Sequence, residues 1–333
     1  MLEALRSIGC ARRIAATGGR LEWPPVPTLL TGVGYIGATL LGRLSQAGLT
    51  PPTVALDNFY STPREAIEAA LPSGVQLVEG DVADRAAVAR AFDLLDNQPD
   101  TIVFHLAAQP SAAMAARDPA LTERSNLVGA RVVLEQAREH GARVVFGGSF
   151  RVYGDDLNGQ AVDEQTPYGR VGDLSHLSKM YVEQLARMIG LPFVSVRLGV
   201  TYGLSPIMKT TPAFMTVPNL FCQRAVSGDV LQVLEDRPVA FVHVGDAADT
   251  LLAAAQLRGD AWQVVNAAPE VATIGQVART VQGLAQDRHL RVRLQGALSS
   301  ESGFRVSSRL AIEYRHNLGD GLGEVLDFFV ARR

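Results

Sequence analysis

The sequence predicts an α/β fold, a doubly wound parallel sheet followed by a smaller C-terminal α+β lobe. Three observations carry this. Short apolar runs alternate with amphipathic stretches through the first two hundred residues, as strands covered on both faces by helices require. A glycine-rich turn joins the first run to the first amphipathic stretch. Past residue 200 the alternation loosens into mixed, shorter segments.

In chain order, residues 1–26 read as an extension. Leu2–Ala16 suit a short helix, which Gly18, Gly19, Pro24, Pro25 and Pro27 then break. Strands are expected at Thr28–Thr31, Thr53–Asp57, Val75–Glu79, Thr101–Leu106, Arg143–Gly147 and Phe193–Leu198. Helices are expected between them at Gly37–Ala47, Arg85–Leu95, Leu121–His140 and Ser175–Ile189. Gly203–Thr216, rich in Pro, Thr and Met, reads as a loop that shapes a pocket. A helix over Val217–Ser227, a strand over Ala240–Val244 and a helix over Ala247–Leu257 follow. The division expected is a first domain over 27–200 and a second lobe over 201–333, with 240–268 returning to the first.

Hydrophobic residues make up 47% of the 333 and charged residues 20%, the balance of a globular protein with a sizeable core. A net charge of −3 gives no electrostatic reason to expect nucleic acid or an anionic membrane as partner. Cys10 and Cys222 stand far apart without metal-ligand spacing, which argues against a disulfide framework or a zinc site and suits a reducing cytoplasm. No apolar run reaches the roughly 18 residues of a membrane span. Lys179 and Lys209 are the only lysines, so each merits inspection.

The turn after the first strand reads Thr31-Gly32-Val33-Gly34-Tyr35-Ile36-Gly37. Gly32 permits the tight turn, Gly34 lets backbone approach a pyrophosphate, and Gly37 lets the helix pack on the strand. Free N–H groups at the helix start, with Tyr35 and Ile36, then face the phosphates. Asp57 ends the second strand, twenty residues after Gly37, where a carboxylate accepts the adenosine ribose hydroxyls and repels a 2′-phosphate. Asn58-Phe59-Tyr60 supplies no arginine. These residues predict a Rossmann-type domain that binds NAD rather than NADP.

With these pieces the chain resembles the extended short-chain dehydrogenase/reductase family, in its NAD-dependent epimerase/dehydratase group. Gly80-Asp81-Val82, His105-Leu106-Ala107-Ala108-Gln109, Asn126 in Ser125-Asn126-Leu127, Ser149-Phe150-Arg151-Val152-Tyr153-Gly154, Arg197–Gly203 and Phe241–Asp246 fall in the family's order. The resemblance implies that Asp81 and Val82 hold the adenine, and that Leu106, Ala107, Ala108, Gln109 and Asn126 serve the cofactor side. It places Ser149 at the catalytic hydroxyl and Lys179 on the nicotinamide ribose. It also implies a small-molecule substrate, possibly a nucleotide sugar, and a homodimer paired through Leu121–His140 and Ser175–Ile189.

The sequence departs from that family in two ways. The glycine motif is one residue shorter than the family's. The position four before Lys179, where the family carries a catalytic tyrosine, is Ser175. An alkoxide forms far less readily than a phenolate, so serine is a poor base. Three readings follow: Tyr168 swings in from the preceding loop, His176 moves the proton, or proton transfer is lost or reassigned. Tyr168 is placed first.

Ser149 is followed by Phe150 and Arg151, not by the acid that water elimination or decarboxylation uses. Transient oxidation of a substrate hydroxyl, as in a sugar-nucleotide epimerase, is therefore the leading expectation. A dehydrogenase/reductase of another small molecule, or a silent NAD-binding protein, are the alternatives. Arg224, Arg237 and Arg291 are candidates to clamp a diphosphate. His243 is read as packing in its strand, and no metal site is expected.

Overall fold

A computed structural model describes residues 23–49, 52–95, 100–258, 261–296 and 303–333. Of the expected extension, 1–22 lie outside the described residues. Trp23 belongs to the folded body, buried with its ring 5.7 Å from that of Phe104.

The strands in chain order are β1 (Thr28–Thr31), β2 (Thr53–Asp57), β3 (Val75–Glu79), β4 (Ile102–His105), β5 (Arg143–Ser149), β6 (Ala161–Val162), β7 (Phe193–Leu198) and β8 (Val200–Tyr202). They continue as β9 (Val230–Gln232), β10 (Pro238–His243), β11 (Trp262–Ala267) and β12 (Glu270–Thr273). The helices are α1 (Tyr35–Gln46), α2 (Arg64–Ala70), α3 (Arg85–Asp93), α4 (Ala112–Arg117), α5 (Pro119–Thr122) and α6 (Gly129–Glu139). Then come α7 (Leu174–Ile189), α8 (Val217–Ser227), α9 (Val244–Ala255), α10 (Ile274–Asp287) and α11 (Leu318–Val330).

Seven parallel strands form the main sheet in the order β11-β7-β5-β4-β1-β2-β3. Strands such as β1, β4 and β7 are buried along their whole length, which is why the sequence reads as continuous apolar runs. On one face α1 and α9 close over a core containing Leu40, Leu41, Leu44, Leu251 and Val265. On the other, α3, α6 and α7 cover Val88, Phe92, Val133, Phe146 and Val182. The chain winds outward from β1 to β3, then restarts at β4 and winds the other way. The loops after β1 and β4 therefore diverge, opening a crevice at the strands' C-terminal ends.

The second lobe packs α8, α10 and α11 around a small sheet, β12-β10-β8, with Tyr202, Phe221, Phe241 and Leu326 in its core. Gly199 lets the chain cross from β7 into β8 beside β10, since a Cβ there would lie 2.8 Å from Ala240 O. Of residues 240–268, α9 packs on α1 and β11 extends the main sheet, whereas β10 joins the small one.

The helix expected over Leu121–His140 is interrupted. Glu123–Val128 forms a π-helical turn between α5 and α6, a device that re-aims side chains within a helix. Here it sets Asn126 between Gln109 and α7. Helix α9 begins at Val244, three residues before the expected start, because the His243 side chain caps it by accepting from Gly245 N.

Candidate active site

One cavity of about 390 Å³ runs from the glycine turn, past the end of β5 and the first turn of α7, to β10 of the second lobe. At its first end the glycine turn is forced by contact. Gly32 takes φ +87°, and a Cβ on it would lie 2.6 Å from Ala107 N. A Cβ on Gly37 would lie 2.1 Å from Gly32 O. Gly34 opens into the cavity, its nearest neighbour being Lys209 Nζ, 3.9 Å from where a Cβ would stand. No side chain caps α1, and its first turn carries no acid. Its N-terminal N–H groups and dipole are therefore available to an anion.

Asp57 braces this turn, one carboxylate oxygen accepting from Val33 N at 2.7 Å and the other from Phe59 N at 2.8 Å. Asp57, Asn58, Val82, Leu106, Ala107, Ala108 and Gln109 all line the cavity, with Gly32, Gly34, Tyr35, Ile36 and Gly37. Two residues assigned to the cofactor by resemblance are placed otherwise. Asn126 is buried, accepting from Gln109 N at 2.7 Å while its amide donates to Gln109 O and Ser178 Oγ. It fixes the loop that lines the cavity and does not line it itself. Asp81 caps Ala83 N and pairs with Arg124, while Gly80 and Val82 on either side of it form the wall.

Further along, Ser149, Ser175, His176 and Lys179 line the same cavity. Ser149 ends β5 with its hydroxyl accepting from Arg151 N. Lys179 donates to Gly147 O at 2.7 Å and lies 4.7 Å from the Phe146 ring centroid. Burial pushes this ammonium down to about 8, although Glu183 pulls the other way. Burial, with Lys179 nearby, likewise pushes His105 down to about 3. His105 is thus a neutral partner for the Thr31 hydroxyl, 2.7 Å away.

Asp173 caps the N-terminus of α7 by accepting from His176 N at 3.0 Å. The same carboxylate accepts from Ser175 Oγ at 2.5 Å and lies 2.7 and 2.8 Å from His176 Nδ1. Burial alone would raise Asp173; the hydrogen bonds from His176 and Ser175 outweigh it and hold the carboxyl below its ordinary range. An ionised Asp173 makes Nδ1 the protonated nitrogen and leaves the lone pair on Nε2. Sequence reasoning missed Asp173; an acid three residues before a histidine at a helix start was the available signal.

Tyr168, placed first as the replacement base, is not brought to the cavity. Its hydroxyl donates to Glu183 Oε2 at 2.6 Å and accepts from Gln184 Nε2 at 2.9 Å. Burial and then the Glu183 charge raise its pKa far above the ordinary phenol value, opposite to what a base needs. Of the three arginines, Arg237 lines the cavity, paired with Asp155 at 3.1 Å. Arg224 and Arg291 do not line it, and Arg291 is exposed.

Outside the cavity, His243, Asp246 and His316 bring three ligand-type atoms within 4.8 Å of one another. Sequence spacing hid this group, since His316 is supplied by a distant segment. The Asp246 carboxylate is engaged by Arg315 N, His316 N and His316 Nδ1, which ties the segment before α11 to α9.

Comparison with known proteins gives the frame for this site. Residues 28–268 match the NAD dependent epimerase/dehydratase family. The chain belongs to that family. It is 28% identical over 267 residues to UDP-N-acetyl-alpha-D-glucosaminuronate decarboxylase of Bacillus cytotoxicus, a match covering 78% of this chain and 77% of that protein. It is 32% identical over 160 residues to UDP-glucose 4-epimerase of Erwinia amylovora, covering 47% and 46%; that match spans under half of the relative's length. Among solved structures, UDP-glucose 4-epimerase of Thermus thermophilus in complex with NAD superposes with a TM-score of 0.72 at 26% identity, covering 91% of this chain and 99% of that one.

The protein is an enzyme of an NAD-dependent family, and the cavity fits that coenzyme. The glycine turn leaves no room for side chains at Gly32 and Gly37, Asp57 stands at the end of β2, and Lys179 lies deeper in the same cavity. Among the described residues, no helix is long and apolar enough to cross a membrane.

Proposed function

We propose that the enzyme is a sugar-nucleotide epimerase-like catalyst in which the Asp173–His176 pair moves the proton. The observation that carries this reading is His176 itself, which lines the same cavity as Ser149 and Lys179 and has Nδ1 held by Asp173. Bound NAD supplies the hydride acceptor and donor. Ser149 Oγ hydrogen-bonds the reacting oxygen of the sugar. His176 Nε2 takes the hydroxyl proton as the alcohol becomes a ketone, and returns it when the ketone is reduced from the other face. Asp173 fixes the tautomer and stabilises the imidazolium that forms. Lys179 and Asp57 are the residues for the two coenzyme riboses.

The substrate class rests on the relatives, which act on UDP sugars by name, and on a second lobe that presents Arg237 to the cavity. Arg151, beside Ser149, is paired with Asp155 and Asp173, which places a cation where elimination chemistry calls for an acid. This supports epimerisation over dehydration. We assign the enzyme to the cytoplasm on its sparse cysteines. We also assign it as a homodimer, since Leu177, Tyr181 and Met188 stand exposed along one face of α7; a monomeric mass in solution overturns that assignment.

The test is turnover of UDP-glucose, UDP-galactose, UDP-glucuronate and UDP-galacturonate, followed by NMR of the anomeric protons with wild type and His176→Gln. Interconversion of a C4 pair by wild type, lost in the variant, is the expected result. Turnover undiminished in His176→Gln removes the histidine as the proton carrier. Net release of water or carbon dioxide removes epimerisation.

A further inference from the structure

The second of the two lysines stands at the other end of the cavity, and nothing in the proton-transfer chemistry uses it. Lys209 belongs to the 203–216 loop of the second lobe, yet its ammonium crosses to the first domain. It donates to Ser61 O at 2.9 Å, Ser61 Oγ at 2.9 Å and Thr62 Oγ1 at 2.6 Å. All three acceptors are neutral oxygens, and among the described residues no carboxylate lies within ion-pair distance of it. Burial lowers the lysine's pKa, and the charge of Asp57 acts in the opposite sense. A part-buried cation without a paired anion is costly to the fold, so this site is suited to an anion that arrives from outside.

The position says which anion. Nζ lies 3.9 Å from where a Cβ on Gly34 would stand, over the turn whose backbone and helix start face an anion. The loop that delivers it is fastened to that same turn. Tyr35, inside the glycine motif, donates to Gly203 O at 2.5 Å and receives the Asn219 amide at 3.1 Å. Ser205 Oγ donates to Tyr35 O at 2.7 Å. At the loop's other end, Phe214 meets Tyr60 edge to face, 6.1 Å between centroids. The loop thus spans the mouth of the coenzyme end and holds its lysine against it.

We propose that Lys209, exchanging one of the three donors now held by Ser61 and Thr62 for a phosphate oxygen, is a ligand of the coenzyme diphosphate, supplied by the second lobe, and that its loop is a clasp that retains NAD between turnovers. It rests on NAD binding in the glycine-turn cavity, independently of the epimerase reading. The clasp also offers a compensation for the shortened glycine motif, a side-chain cation adding to a turn with one residue fewer. Retained coenzyme suits chemistry in which the hydride leaves and returns within one catalytic cycle.

The test is calorimetric titration of the coenzyme-free full chain with NAD, NADP, ADP-ribose and adenosine, for wild type, Lys209→Met and Lys209→Arg. A charge-assisted contact to the diphosphate predicts NAD and ADP-ribose weakened roughly ten- to hundredfold in Lys209→Met. Adenosine binding stays unchanged, and Lys209→Arg restores most of the affinity. Equal losses for adenosine and ADP-ribose make Lys209 a pin for the loop and overturn the proposal. So does a loss confined to NADP, which assigns the ammonium to a 2′-phosphate, or no loss at all. If Lys209→Met fails to fold, Lys209→Gln is titrated against the same outcomes. These readouts are of binding, so absence of UDP-sugar turnover leaves them interpretable.

Discussion

Toward its N-terminus, α7 presents Ser175, His176 and Lys179 to the cavity, with Asp173 as its cap; further along, the same helix buries Glu183 in a second polar cluster. There Arg197 meets the Glu183 carboxylate at 2.6 and 3.1 Å, with 3% and 0% of the two side chains exposed. Ser195 Oγ and Tyr168 Oη each donate to it at 2.6 Å. The Arg197 guanidinium lies 4.7 and 5.0 Å from the Tyr153 and Tyr168 ring centroids. In the Glu183 cluster the carboxylate is fully engaged by protein partners. In the cavity cluster, His176 is bonded through Nδ1 and not Nε2, the Ser149 hydroxyl only accepts from Arg151 N, and both residues line the cavity. The difference teaches how to tell structure from chemistry among polar groups on one helix: a carboxylate saturated by buried protein donors fixes packing, and a group left unsaturated beside a cavity is free to act.

The sharpest break in this comparison is His176→Gln. Loss of a general base predicts a fall in turnover of about 10²–10⁴-fold with the melting temperature little changed, checked by steady-state kinetics beside calorimetry. Glu183→Ala tests the opposite cluster. Leaving Arg197 buried without its partner predicts about 3–5 kcal/mol of lost stability in denaturant titration. Tyr168→Phe removes two hydrogen bonds, one to Glu183 and one from Gln184, and costs about 1–2 kcal/mol, with turnover kept. A collapse of turnover in Tyr168→Phe at retained stability would return the phenol to catalysis and dissolve the distinction.

Lys179 sharpens the comparison through pH. Its folded pKa of about 8 lies below the ordinary 10.5, so between those values the unfolded chain holds a proton that the fold does not. Stability contributed by this group therefore rises with pH from about 8 to 10.5. Wild type is expected to gain on Lys179→Met across that window in paired melting curves, and parallel curves would show that the lysine does not titrate there. The ammonium form, present below about 8, is the one that donates to a ribose. NAD affinity is therefore expected to fall above that pH in wild type and not in Lys179→Met.

Much of this was legible in the sequence. Strands β1, β2 and β7 run over the same residues as the apolar runs that predict them, because strands buried on both faces leave a nearly unbroken hydrophobic record. The glycine turn and Asp57 were readable because backbone geometry restricts those positions to few residue types. The π-helical turn at 123–128 was not, since it changes where side chains point without changing their periodic pattern.

The sequence by itself determined the sheet and the dinucleotide turn, both set by local rules of periodicity and sterics, while Ser149 and Lys179 were picked out by their resemblance to the family's motifs. Only the tertiary structure decided which groups share the cavity. From sequence Tyr168 ranked ahead of His176 as proton carrier; packing gave the tyrosine to Glu183 and the histidine to Asp173, and of the two it is His176 that lines the cavity. Lys209 lies about 150 residues from Ser61 and Thr62 and meets them only because Tyr35 fastens its loop across the two lobes. Contacts at that separation depend on how whole elements dock, and docking leaves no periodic trace along the chain.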